Sequence, residues 1–311
     1  MIIDVHTHIG VNLKRLFNGL YPPLQAIKDL LIKMDLAGID YAVSFPFGAS
    51  LYDDPRDYNE NIPIGIMDFP YQIENRMVLD HAKNLGEGRI LPFISIDPKR
   101  KVVEQIKQIE RWQKNYKIFG IKVHTKSTNT KGNELINSPF LDMFRENSWP
   151  MLFHSYLQEV AHPLPILEFA LRNPDINVCI AHMGGGIKKF FDELEKTNPE
   201  NLFIDLSPFL ANCNDIPFDA KKRGYEILDL NYKKPFEALK RLVDQFGKYI
   251  VFGSDEPFTT YINPIEPSLE IRGTLTQEVE LIEKLPKGKF KIIAETNPMK
   301  FLGVKLNRRQ I

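Results

Sequence analysis

Two histidines set two residues apart, His6 and His8, close an apolar run that opens the chain, MIIDVHTHIG. Side chains alternate along a strand, so a strand ending here carries both rings on one face, about 7 Å apart at their Cα atoms. Two imidazoles so placed can grip one divalent cation, and neutral imidazole nitrogen suits Zn²⁺ as well as Fe²⁺ or Mn²⁺. Surface or capping histidines can show the same spacing, so the pair gains meaning only from further ligands brought to the same place.

Such groups end other apolar runs. Lys122 and His124 end IFGIKVH, 118–124; His154 ends PMLFHS, 150–155; His182 lies in NVCIAHMG, 177–184; Asp255 ends YIVFGSD, 249–255. Of the seven histidines, His81 and His162 alone lie elsewhere. Strand parity aims Asp4 with His6 and His8, where it would accept a hydrogen bond from a ligand histidine or cap a loop. Cys179, inside an apolar run, reads as core packing. Gly184, Gly185 and Gly186 read as a tight turn, with amides meeting a substrate anion as the alternative. Glu256 reads as a loop ion-pair partner or a second acid beside the substrate.

The elements that position these groups form a repeating pattern. Apolar runs at 1–8, 40–47, 89–97, 118–124, 150–155, 177–184, 201–207 and 249–255 read as buried strands. Helical spacing follows at 24–38, 73–86, 99–115, 137–147, 163–172, 188–196, 234–247 and 274–285, with a final helix over 290–302 interrupted or started near Asn297-Pro298. Alternating strand and helix implies a parallel sheet with helices outside. Eight such units in 311 residues fit an α/β fold of the (β/α)8 TIM-barrel type, in preference to an open doubly wound sheet. No linker composition separates the units, so residues 1–311 read as a single domain with long βα loops. In such a barrel the strand C-termini converge on one mouth, which gathers the groups above.

Composition narrows the function classes. Lys plus Arg and Asp plus Glu are 40 each, so net charge draws the chain to neither nucleic acid nor anionic membrane. Two cysteines are too few for a disulfide framework and fit a reducing compartment. No apolar run approaches a membrane span, and the first strand lacks the basic flank and cleavage site of a signal peptide. Cytoplasm is the expected location, and a homo-oligomer is left open.

The ordered set DVHTH, GIKVH, MLFH, AHMGG and VFGSDEP resembles the amidohydrolase superfamily. More narrowly it resembles the amidohydrolase-related branch that includes aminocarboxymuconate-semialdehyde decarboxylase. The resemblance runs from residue 1 to about 303, where AETNPMKFLG is similar to the branch's closing helix. It implies metal ligation by His6, His8, His154 and Asp255, with His182 beside the metal, handling protons or polarising substrate. One divalent metal is expected, Zn²⁺ first and Mn²⁺ or Fe²⁺ next. A second metal bridged by a carboxylated Lys122, as in binuclear superfamily members, is the lesser reading. Three imidazoles and a carboxylate suit a cation that retains a water, whose pKa the metal lowers toward neutrality. Asp255 is then the group that orients the water and moves its proton. Lys122 and His124 are expected to hold a substrate oxygen; a buried ion pair and a supporting histidine are their bland alternatives.

Loops 9–23, 48–72, 208–233 and 256–273 follow strands one, two, seven and eight, on the face where loop variation sets specificity. Their aromatics (Phe17, Tyr21, Tyr52, Tyr58, Phe69, Phe209, Phe218, Phe258, Tyr261) and cations (Arg15, Arg56, Arg223, Arg272) suit a small organic acid. The first functional expectation is a metal-dependent hydrolase of a small carbonyl substrate: a lactone, ester, amide or C–C bond. The second is a metal-dependent nonoxidative decarboxylase of a small carboxylic acid, aromatic acids included. A barrel that binds without catalysis is the minor third.

Overall fold

In the computed structural model, which describes residues 1–56, 61–263, 268–271 and 273–307, eight parallel strands follow one another around a barrel in sequence order. They are β1 (Ile3–His8), β2 (Tyr41–Phe45), β3 (Ile90–Ile96), β4 (Gly120–Val123), β5 (Met151–Phe153), β6 (Val178–Ile180), β7 (Leu202–Asp205) and β8 (Ile250–Val251). The chain past β8 closes the barrel on β1. Val5 N–H donates to Phe252 O at 3.0 Å, Asp255 N–H to His6 O at 2.8 Å and His8 N–H to Glu256 O at 2.8 Å. The helices lie outside, as alternating βα units require.

Two apolar layers sandwich the sheet. Ile3, Val5, Leu91, Phe93, Leu152, Cys179, Phe203 and Val251 fill the barrel interior, and Phe301 and Leu302 of the last helix pack with them. Residues of opposite parity, such as Ile94, Ile121, Phe153, Ile180 and Ile204, face the helices. With both faces buried, these strands read as continuous apolar runs with no polar alternation.

The helices fall near their expected places, among them Ile27–Ala37, Gln72–Leu85, Val102–Gln113, Pro163–Arg172, Pro235–Phe246 and Leu275–Glu283. The 137–147 helix shortens to Leu141–Glu146. The closing helix is broken as expected: Lys287–Lys291, a wider π-turn at Ile292–Thr296, then Asn297–Leu302. One helix, Phe209–Arg223, lies inside a segment expected to be loop. Its buried face, Phe209, Cys213, Ile216 and Ala220, has helical spacing, but Pro217 in its middle and the run of Asn and Asp conceal it. Strands four to eight are each shorter than their apolar runs.

Asp4 also needs correction. The β1–β2 register shifts between Asp4 and Thr7, so Asp4 lies opposite Ala42, on the helix side, while His8 lies opposite Phe45. A bulge breaks the two-residue period on which the parity reading depended. Asp4 Oδ1 accepts from the backbone N–H of His6 and of Ser254, each at 3.0 Å, and so ties β1 to the β8 end without touching an imidazole. Among the described residues, no helix is long and apolar enough to cross a membrane.

Candidate metal centre and substrate cavity

His6 and His8 stand at the end of β1, their ring centroids 5.4 Å apart. Asp255, arriving from β8, places Oδ1 3.2 Å from His6 Nε2 and 3.1 Å from His8 Nε2. All three side chains are buried. Each outer ring nitrogen is engaged. His8 Nδ1 donates to the Pro46 carbonyl at 3.0 Å. His6 Nδ1 lies 2.9 Å from Asp205 Oδ2. A carbonyl and a carboxylate only accept, so these partners assign the protons to Nδ1 and leave both Nε2 atoms with lone pairs. Two imidazole lone pairs and a carboxylate oxygen thus converge on one point. A divalent cation fits there, and the outer acceptors fix ring tautomer and orientation as they do around metal-bound histidines.

Close packing holds the arrangement. A Cβ on Gly253 would come to 3.0 Å from the His6 Cβ, so the chain beside β1 must be bare. Asp255 and His182 both take left-handed backbone, φ 60° and 55°. For residues other than glycine this costs about 1–3 kcal/mol each, a strain that persists where surrounding structure holds it. At His182 it begins a left-handed run through Met183 and the three glycines, confirming a tight turn there.

Asp205 and Ser207 escaped the sequence reading. Asp205 Oδ1 accepts from the backbone N–H of His182 at 3.1 Å and of Ser207 at 3.0 Å. Ser207 O accepts from His182 Nδ1 at 2.6 Å. The β7 end therefore positions two site histidines at once. The signal was available: an acid inside the otherwise apolar NLFIDLS, at a strand end like the others.

The wall toward β4 and β5 is arranged differently. Since His182 Nδ1 donates to Ser207, its Nε2 carries a lone pair, and this lies 3.1 Å from His154 Nδ1. His154 Nδ1 is then the donor, with the lone pair on its Nε2. His124 Nδ1 accepts from Ser127 N–H at 3.1 Å, which assigns its proton to Nε2. His124 stacks on His154 with centroids 4.2 Å apart, and a Cβ on Gly48 would meet the His124 ring at 2.5 Å. Lys122 Nζ is buried 3.5 Å from His6 Nε2 and 4.4 Å from the Phe45 ring centre. Among the described residues, two groups bring three ligand atoms within 4.8 Å of one another: His6, His8 and Asp255, and His6, His182 and Asp205. His154 belongs to neither.

Burial dominates the electrostatics. It pushes His8 down to about 4, against the pull of Asp255. It also holds His124 and His154 well below the usual imidazole range, with neighbouring cationic and imidazole groups adding to the effect, and lowers His182. These rings are neutral near pH 7, the form that ligates metals and exchanges protons. Burial would raise Asp255, but the adjoining His6, His8 and His182 rings outweigh it and hold the carboxyl well below its usual range. Burial lowers Lys122 to about 8.

The centre forms the floor of a cavity of about 430 Å³, into which Lys122, His124, His154 and His182 also face. Of the loop aromatics, Phe258 lines the cavity, with the Arg15 guanidinium 5.1 Å from its ring centre. Tyr52, Phe69 and Phe209 are buried, while Phe17 and Phe218 are exposed. Arg56 pairs with Asp54 away from the cavity. Glu256 pairs with Lys33, as expected of a loop ion pair. Tyr58, Arg272 and the side chain of Tyr261 lie outside the described residues.

The sequence profile of the family described as Amidohydrolase matches residues 3–304. No curated protein matches the chain in sequence. Solved structures share its fold at low identity. A putative 2-pyrone-4,6-dicarboxylic acid hydrolase from Pseudomonas putida is 15% identical, with a TM-score of 0.63 and 98% of each chain covered. A 5-carboxyvanillate decarboxylase from Novosphingobium aromaticivorans, complexed with manganese and 4-hydroxy-3-methoxy-5-nitrobenzoic acid, is 12% identical with a TM-score of 0.59, covering 98% of this chain and 96% of that one. An amidohydrolase from Burkholderia multivorans with bound zinc is 13% identical with a TM-score of 0.60, covering 98% and 100%.

Proposed function

The chain belongs to the amidohydrolase family, and on that premise we propose that it is a metal-dependent hydrolase of a small carbonyl substrate: a lactone, ester, amide or C–C bond. The observation that carries the reading is the convergence of two Nε2 lone pairs and a carboxylate oxygen at the floor of a cavity whose other wall presents N–H donors. The proposed ligands are His6, His8, His154 and Asp255, with His154 offering Nε2. One cation is proposed. In the group His6, His182 and Asp205, the Asp205 oxygens already accept from His6 Nδ1, two backbone amides and Ser207, which supports a hydrogen-bond cluster there. Zn²⁺ is favoured, with Mn²⁺ next; relatives of the same fold hold each.

A divalent cation at this point polarises a carbonyl oxygen and acidifies water. The chain's own groups do the rest. Asp255, held ionised, would accept the proton of the attacking water. Asp255 then returns that proton to the leaving group. His182 commits both nitrogens, Nδ1 as donor to Ser207 O and Nε2 as acceptor from His154 Nδ1, and so fixes the His154 ring beside the centre. His124 Nε2–H and the Lys122 ammonium face the charge that develops on the substrate oxygen, where fixed donors in a buried site are most effective.

The second reading is a nonoxidative decarboxylase built from the same residues. Its support is the pair of donors Lys122 and His124, which suit a substrate carboxylate, together with a neighbour of that activity. A screen of lactones, amides and aromatic carboxylic acids with the Zn²⁺- and Mn²⁺-loaded protein, with CO₂ detection, separates the two. Hydrolysis without CO₂ supports the first reading, and CO₂ release supports the second. Turnover that is equal in the metal-stripped protein would overturn both.

A further inference from the structure

Among the described residues, Lys126 at the cavity wall has no counter-charge. Lys126 lines the cavity from the short turn Thr125–Thr128, directly after His124. Among the described residues its ammonium has no hydrogen-bond acceptor and no carboxylate partner. Burial pushes Lys126 below the usual lysine range, and the charge that adds to it is another cation, Arg223, at the end of helix Phe209–Arg223. Other lysines nearby are paired: Lys131 with Glu159 at 2.7 Å and Lys99 with Glu134 at 2.9 Å. A cation on a concave wall with a second cation acting on it favours an anion there.

The turn that carries Lys126 is fixed to the reaction centre. Thr128 N–H donates to His124 O at 3.0 Å, Ser127 N–H to His124 Nδ1 at 3.1 Å and Thr125 Oγ1 to His154 O at 2.8 Å. Asn61, from the loop after β2, braces the turn by donating to Ser127 O. Lys126 thus holds a set relation to His124 and His154, yet it lies farther out than Lys122, which is buried against His6. The inner lysine serves the reacting group, and the outer one is left to meet a different part of the substrate.

We propose that Lys126 anchors a carboxylate remote from the reacting group, so that the preferred substrates are small dicarboxylic acids or half-acids bearing one carboxylate besides the bond attacked. This rests on the reading of the cavity as the substrate site. Arg223 strengthens the local field, and Lys126 makes the contact.

Isothermal titration calorimetry tests it with linear dicarboxylates from malonate to adipate and with isophthalate, each beside its monocarboxylate counterpart. The Zn²⁺-loaded protein is expected to bind at least one dicarboxylate about 10-fold tighter than its counterpart, the scale of one charge-assisted contact. Lys126→Met is expected to abolish that preference while leaving monocarboxylate affinity unchanged, and Lys126→Arg to restore most of it. Equal affinities across every pair, or a preference that survives Lys126→Met, would overturn the proposal. The same titrations on metal-free protein separate the two levels. Monocarboxylate affinity indifferent to Zn²⁺ counts against the metal-centred reading alone. Metal-dependent affinity with no dicarboxylate preference counts against Lys126 alone.

Discussion

The two walls of the cavity differ in how their polar atoms are used. On the β1, β7 and β8 side, the outer nitrogens of His6 and His8 are each committed to an acceptor, and the inner ones meet at Asp255. On the β4 and β5 side, His124 and Lys122 turn N–H donors toward the cavity, and Lys126 at its edge has no acid partner among the described residues. The first wall is arranged for a cation and the second for an anion. On the proposed reading, the difference would let one barrel mouth take a metal and a charged substrate side by side, with the acceptors spent before the substrate arrives and the donors kept for it.

Removing a ligand breaks the first wall outright. His8→Ala or Asp255→Asn is expected to abolish metal uptake and lower turnover by at least about 10³-fold; elemental analysis and steady-state kinetics check both. Asp205→Asn attacks the same wall from behind. Loss of the carboxylate on His6 Nδ1 should weaken metal affinity by about 10- to 100-fold, read by competition with a chelating dye. Unchanged affinity would leave Asp205 a purely structural acid. On the second wall, Lys122→Met is expected to lower kcat/KM by about 10²-fold while metal stoichiometry stays near one. A loss of metal instead would favour the carboxylated-lysine, two-metal alternative.

The smallest expected effect lies outside both walls. Glu278 is buried, and its Oε1 accepts from Leu210 N–H at 2.9 Å at the start of helix Phe209–Arg223. Burial raises its carboxyl from 4.5 to about 8. The folded protein therefore holds a proton that the unfolded chain releases, and stability declines as pH rises from 4.5 toward 8. Glu278→Gln keeps the acceptor and removes the charge. It should be near neutral at pH 5 and stabilise by about 1 kcal/mol or more at pH 8, measured by urea denaturation. An equal effect at the two pH values would refute the linkage.

The barrel was legible because each strand is buried on both faces and leaves a continuous apolar run such as ILPFISI. His6, His8 and Asp255 were legible because ionisable groups at the ends of such runs have few structural uses. Three features were not. The bulge in β1 reverses Asp4, and a register shift leaves no mark in side-chain type. Asp205 was hidden inside the apolar run of strand seven, although its acid sits where the others do. Helix Phe209–Arg223 was hidden by Pro217, since its apolar spacing has to be read across a residue that ordinarily ends a helix. The division of labour between the walls needed the hydrogen-bond partners of each imidazole, which no spacing reveals.

The most direct test of the central claim is metal stoichiometry in the purified, Zn²⁺-loaded and dialysed protein, measured beside the double variant His6→Asn, His8→Asn. The account predicts about one equivalent in the unaltered chain and none in the variant, with the fold retained by circular dichroism. A folded variant that keeps its full equivalent would contradict it.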